Sequence, residues 1–95
     1  MNDRIMEKFA DAQHEIWAHW MKYLFTKGCD NTDGSFRING REVERWKRQM
    51  ETSYDELSEE EKQSDRDVIT EHMNEAFEEI VNQFENEMND ILSKA

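Results

Sequence analysis

The sequence predicts a mainly α-helical chain with a long C-terminal helix and at most a short extended hairpin between its first two helices. Three observations carry this reading. Apolar residues recur at three- and four-residue intervals over residues 3–26 and again over 69–91, the 95 residues include no proline, and the three glycines all fall between 28 and 40. A chain this short has room for one core and a thin margin of stability. We therefore expect a single domain over residues 1–95, with 74–95 as a helical extension.

The first helix is expected over residues 3–26, where Ile5, Met6, Phe9, Ile16, Trp17, Trp20, Met21 and Leu24 share a wide apolar arc of about 200°. A helix so broadly apolar should be covered on two sides. His14 falls about 60° from Trp17 and one turn away, so its ring can meet both the indole and solvent. Gly28 is expected to end this helix, and residues 29–35 read as a turn-rich connection. The run Asp30-Asn31-Thr32-Asp33-Gly34 resembles a calcium loop only superficially. With Gly34 in the sixth position, Cys29 would be the first ligand and Gly40 the twelfth, so two required carboxylates are missing.

Phe36-Arg37-Ile38 alternates apolar and basic residues, as a short extended piece does, and Asn39-Gly40 closes it. A second helix follows over 41–51. Val43, Trp46 and Met50 should be its buried side, while Arg41, Arg45 and Arg48 form a guanidinium face opposite. Further on, Ser58 with Glu61 three residues later spells a capping box, reinforced by Glu59 and Glu60 at the positive end of the helix dipole. The last helix should then run without a breaker to about residue 93. Its stripe is Ile69, Met73, Phe77, Ile80, Phe84, Met88 and Ile91, and the eleven-residue spacing of the isoleucines belongs to a nearly straight helix. Lys62 and Arg66 project onto the same stripe, where an unpaired charge is costly and calls for a carboxylate or an anionic ligand.

Composition narrows the function. A net charge of −11 opposes non-specific contact with nucleic acid polymers or an anionic membrane. No apolar run is long enough to span a bilayer, residues 2–4 do not read as a secretory signal, and the lone Cys29 agrees with a reducing compartment. A cytoplasmic protein is expected. Residues 36–50 depart from the acidic background, with five bases against two acids, which leaves a place for a small anion. No nucleophile motif, phosphate loop or zinc helix is present, so neither an enzyme nor a cofactor is expected. His14 and His19 are five apart and His72 stands alone in the sequence, so no metal site is expected either.

Three pieces of sequence resemble a known family. His14-Glu15-Ile16-Trp17, then Tyr54-Asp55-Glu56-Leu57, then Glu61-Lys62-Gln63-Ser64-Asp65-Arg66 are similar to the His-Glu-x-Trp helix, Tyr-x-x-Leu turn and Glu-Lys-x-x-Asp-Arg helix start of the RyR repeat. That module occurs in ryanodine receptors and in bacterial and viral proteins. The likeness covers roughly residues 11–73, and residues 30–48 stand where receptor repeats carry a proline-rich hairpin. It implies a helical ligand-binding module in which the His and Trp of the first block line a cleft for an adenine nucleotide or nucleotide-derived signal. On this reading Trp17 and Tyr54 stack the base, His14 bonds its edge or sugar, and Arg45, Lys62 and Arg66 hold phosphate. Receptor repeats come in pairs, so a homodimer would complete the pocket. A stand-alone copy of bacterial or phage type could sequester a signal in the host cytoplasm. The competing expectation is a protein-interaction module that uses the long acidic C-terminal helix, whose residues 74–95 carry six acids and one base.

Overall fold

The fold is mainly helical, as the periodicity predicts. The computed structural model describes residues 3–94. They form α1 (Asp3–Leu24), an antiparallel hairpin of β1 (Gly28–Asp30) and β2 (Phe36–Ile38), α2 (Gly40–Glu51), a single 3-10 turn (Tyr54–Glu56), α3 (Glu59–His72) and α4 (Asn74–Lys94). Among the described residues no helix is long and apolar enough to cross a membrane.

α1 loosens before its glycine. Phe25 N still donates to Met21 O, but Thr26 N and Lys27 N donate three residues back, to Tyr23 O and Leu24 O, which tightens the last turn and ends it. Gly28, expected as a helix stop, is instead the first residue of β1, and part of the stretch expected as turn is a strand. The register pairs Gly28 with Ile38, Cys29 with Arg37 and Asp30 with Phe36. Here glycine is required by close approach: a Cβ at 28 would lie 2.2 Å from Arg37 O and 2.7 Å from the Phe36 ring. Gly34, at φ 89°, turns the hairpin. The Asp33 carboxylate accepts from both the backbone N–H and the hydroxyl of Ser35, bonds that lower its pKa. That carboxylate is committed to the turn.

α2 begins on Asn39, whose side chain accepts from Glu42 N. Val43 and Trp46 are half-buried where burial was expected, but Met50 is exposed. The capping box at the start of α3 is present in full: Ser58 Oγ accepts from Glu61 N, and the Glu61 carboxylate accepts from Ser58 N.

The uninterrupted last helix is not found. Met73, at φ −109° and ψ −1°, separates α3 from α4 without a proline or glycine. Tertiary packing accounts for the bend, since both segments must lie along the single helix α1. The pairings His19–His72, Phe9–Phe77, Lys8–Glu75 and Arg4–Glu79 descend α1 while ascending α3 and α4, so the arrangement is antiparallel. Past residue 79 the described part of α1 offers α4 little more than Arg4, which borders a cleft with Asn82, Gln83, Glu85 and Asn86. Most of the last fifteen or so residues of α4, about 22 Å in all, therefore extends beyond the described body.

The result is an elongated molecule with extents of 67 × 34 × 18 Å. Among the described residues the buried apolar ones are few and mostly small, Ile5, Ala12, Val68 and Ala76, and no large side chain is fully enclosed. The expectation that α1 is covered on two sides also fails. α3 and α4 take the face of Ile5 and Ala12, while Trp17, Met21 and Phe25 border an open groove that none of the described elements covers.

Two measurements check these local readings. Gly28→Ala should lower stability by about 1–3 kcal/mol in urea denaturation, since the new methyl must displace backbone; an unchanged midpoint would contradict the hairpin register. Glu59 and Glu61 have lowered pKa values, Glu59 through its bond from Arg66 and Glu61 through its bonds with Ser58, then Arg48. Their contribution is complete above the ordinary carboxylate range and is lost as the pH falls through the lower folded values. Glu61→Gln keeps an acceptor in the capping box but cannot titrate, so its melting temperature should fall less steeply in acid than that of the parent.

Candidate functional site

The six residues singled out from the sequence fall into three groups. On α1, the i, i+3 spacing stacks His14 on Trp17, with ring centroids 6.0 Å apart and planes 27° from parallel. Trp17 is 56% exposed. The groove beside it is lined by Trp17, Ala18, Met21, Lys22, Phe25 and Thr26, all from α1 or the turn after it. It is apolar and shallow, with no guanidinium at its edge.

Tyr54, Lys62 and Arg66 form the second group at the start of α3. The 3-10 turn carries Tyr54 back over that helix, placing Lys62 Nζ 5.6 Å from its ring centroid and Arg66 Nε 3.2 Å from its hydroxyl. Arg66 Nη1 also donates to Glu59 Oε1 at 2.8 Å and to Gln63 Oε1 at 2.9 Å. These bonds, first Glu59 and then Tyr54, raise the pKa of Arg66. The cost of its charge is thus met within α3 and the turn before it, by the carboxylate option that the helix projection left open.

Arg45 is the third case. Its Nη2 donates to the Tyr23 hydroxyl at 2.9 Å and pairs with Glu42 Oε2 at 2.8 Å, and the tyrosine bond is the main cause of its raised pKa. It joins α2 to α1 beside the Tyr23–Trp46 ring contact, centroids 6.2 Å apart. Arg48 of the same basic face reaches Glu61 Oε2 at 3.2 Å and ties α2 to α3. Among the described residues, the ring, ion-pair and hydrogen-bond contacts of the Trp17 pair and of the Tyr54 group share no member.

One feature was not anticipated from the sequence, and a second was expected only as the helical extension of residues 74–95. His72, read as solitary, lies against His19, with ring centroids 5.6 Å apart and Glu71 beside them. The signal was available on α1. Had the helix been centred on Ile5, Ala12 and Ile16 and not on Trp17, His19 would have fallen on the packed face. The second feature is the projecting half of α4. Val81, Phe84, Met88, Ile91 and Leu92 are all exposed there, with Phe84 at 63%, Ile91 at 62% and Leu92 at 65%. Together with Phe77 and Ile80 they occupy an arc of about 120°.

Compared with known proteins, the chain matches no protein-family model, no curated protein and no solved structure. The likeness to the RyR repeat therefore stands on the motif residues themselves.

Proposed function

We propose that this chain is a protein-interaction module that captures a basic amphipathic helix of a partner on the projecting half of α4. The observation that carries the reading is the apolar stripe that continues past residue 79, where little of the described α1 remains. An apolar face of this length, flanked by charged residues, is the kind of surface that helix-in-groove recognition covers. The shape of the molecule agrees. Its accessible surface is 7830 Å², against about 5,800 Å² for a compact chain of this mass. The excess of about 2,000 Å² is of the order that specific protein interfaces bury in total.

Charge selects the occupant. A second copy would bring another −11 to the interface, and residues 74–95 already hold six acids against one base. A basic helix offers the opposite sign along both flanks of the stripe. We therefore place partner capture ahead of the homodimer that the pairing of receptor repeats implies.

Binding of a nucleotide-type ligand, the reading implied by the RyR resemblance, has less geometric support. It asks Trp17 and Tyr54 to stack one base, yet their contacts have no residue in common. It also asks Arg45 and Arg66 to hold phosphate, although each already serves a carboxylate and a tyrosine hydroxyl.

The test is fluorescence anisotropy with a labelled basic amphipathic peptide and a scrambled peptide of identical charge. The amphipathic peptide should bind at least ~10-fold more tightly, Phe84→Ala with Ile91→Ala should remove that preference, and Trp17→Ala should leave it intact. Equal binding of both peptides would reduce the effect to bulk charge and sink the reading. ATP and cyclic dinucleotides should leave tryptophan emission unchanged; saturable quenching lost in Trp17→Ala would restore the nucleotide reading.

A further inference from the structure

The junction of α1 with the end of α3 holds a donor set that neither functional reading uses. Among the described residues, His19, Glu71 and His72 each offer one ligand atom, and these atoms lie within 4.8 Å of one another. His19 is carried by α1 and the other two by the last turn of α3, so the cluster exists only because the helices are packed antiparallel. The environment of His72 is the telling part. The side chain is 14% exposed, and its Nε2 is buried with no hydrogen-bond partner. The nearest carboxylate oxygen, Glu71 Oε2, is 3.6 Å away, beyond hydrogen-bonding reach. A buried imidazole nitrogen without a partner is costly and marks a place where a polar ligand belongs.

We infer that His19, His72 and Glu71 bind a divalent transition metal, Zn²⁺ in the first instance, at the α1–α3 junction. Two imidazole nitrogens and a carboxylate oxygen are a donor set that suits Zn²⁺, with water in the fourth tetrahedral position. Ligand atoms around such an ion sit roughly 3.3 Å apart, a separation that follows from Zn–N and Zn–O bonds of about 2.0–2.2 Å. The cluster must close by about 1.5 Å at most from the separations seen. Glu71 is the residue free to move, since its side chain is 64% exposed. The ring of His19 meets Trp20 at 5.0 Å in an edge contact, which limits its swing and helps to aim it. Bound there, the ion links α1 to the residue before the Met73 bend, and so fixes the direction in which α4 leaves the body.

The experiment uses tag-free chain stripped with chelator. Calorimetry with ZnCl₂ should give one site per chain, and titration with Co²⁺ should develop visible ligand-field bands that Zn²⁺ then removes. His19→Gln and His72→Gln should each weaken binding at least ~10-fold, and Glu71→Gln should weaken it less, consistent with loss of one of three ligands. His14→Gln, on the opposite face of α1, should bind as the parent does. Circular dichroism checks that each variant is folded. Should the histidine variants unfold, ¹⁵N shifts of the imidazole rings in the intact chain decide the matter: Zn²⁺ should move His19 and His72 and leave His14 in place. No heat and no cobalt bands, equal loss in His14→Gln, or ring shifts confined to His14 would each overturn the inference.

Discussion

Everything in this molecule is referred to one helix. α1 is the platform on which α2 rests through Tyr23 and Trp46, α3 through His19 and His72, and α4 through Phe9 and Phe77. It spans about 33 Å, whereas α3 and α4 laid end to end run about 52 Å. That mismatch, more than any single contact, decides the shape. The chain can bend at Met73 to keep α3 and α4 on the platform, but it cannot shorten, and so α4 runs on past its support.

The packing along the platform is modest. Among the described residues two of the four buried apolar side chains are the small Ala12 and Ala76, and aromatic edge contacts such as Phe9–Phe77 and His19–His72 join the helices. The ion pairs that follow the α1–α4 seam, Arg4–Glu79 at 2.7 Å and Lys8–Glu75 at 3.7 Å, each have an exposed partner, Arg4 and Glu75, so water competes for both. They set register more than they add stability. Cations otherwise scarce in so acidic a chain are used at the joints: Arg45 between α2 and α1, Arg48 between α2 and α3, and Arg66 inside α3 and its preceding turn. This use of the guanidinium groups explains why residues that look on paper like a phosphate site behave here as ties.

Local signals in the sequence translated well into structure. The capping box at Ser58, the break near the end of α1, the extended triplet at residues 36–38 and the stacking of His14 on Trp17 each depend on neighbours within about four residues, and each is present. What could not be read were consequences of tertiary packing. The bend at Met73 has no breaker residue, the role of Gly28 is set by Arg37 and Phe36 across the hairpin, and the meeting of His19 with His72 requires knowing which face of α1 is packed. Choosing Trp17 as the centre of that face was the natural reading of the apolar arc. It turned the helix by roughly 120° from its true orientation, and the grouping of Trp17 with Tyr54, Lys62 and Arg66 followed from that choice.

The two inferences meet at the same joint. A metal ion at His19, Glu71 and His72 would fix the angle at which α4 departs, and the projecting half of α4 is the surface offered to a partner. The capture reading requires that the isolated chain leave this helix uncovered in solution. Small-angle scattering at several concentrations measures this directly. The account predicts a monomer mass with a radius of gyration near the 19.4 Å of the structure; a value near ~12 Å, the size of a compact chain of this length, or a dimer mass throughout, would contradict it.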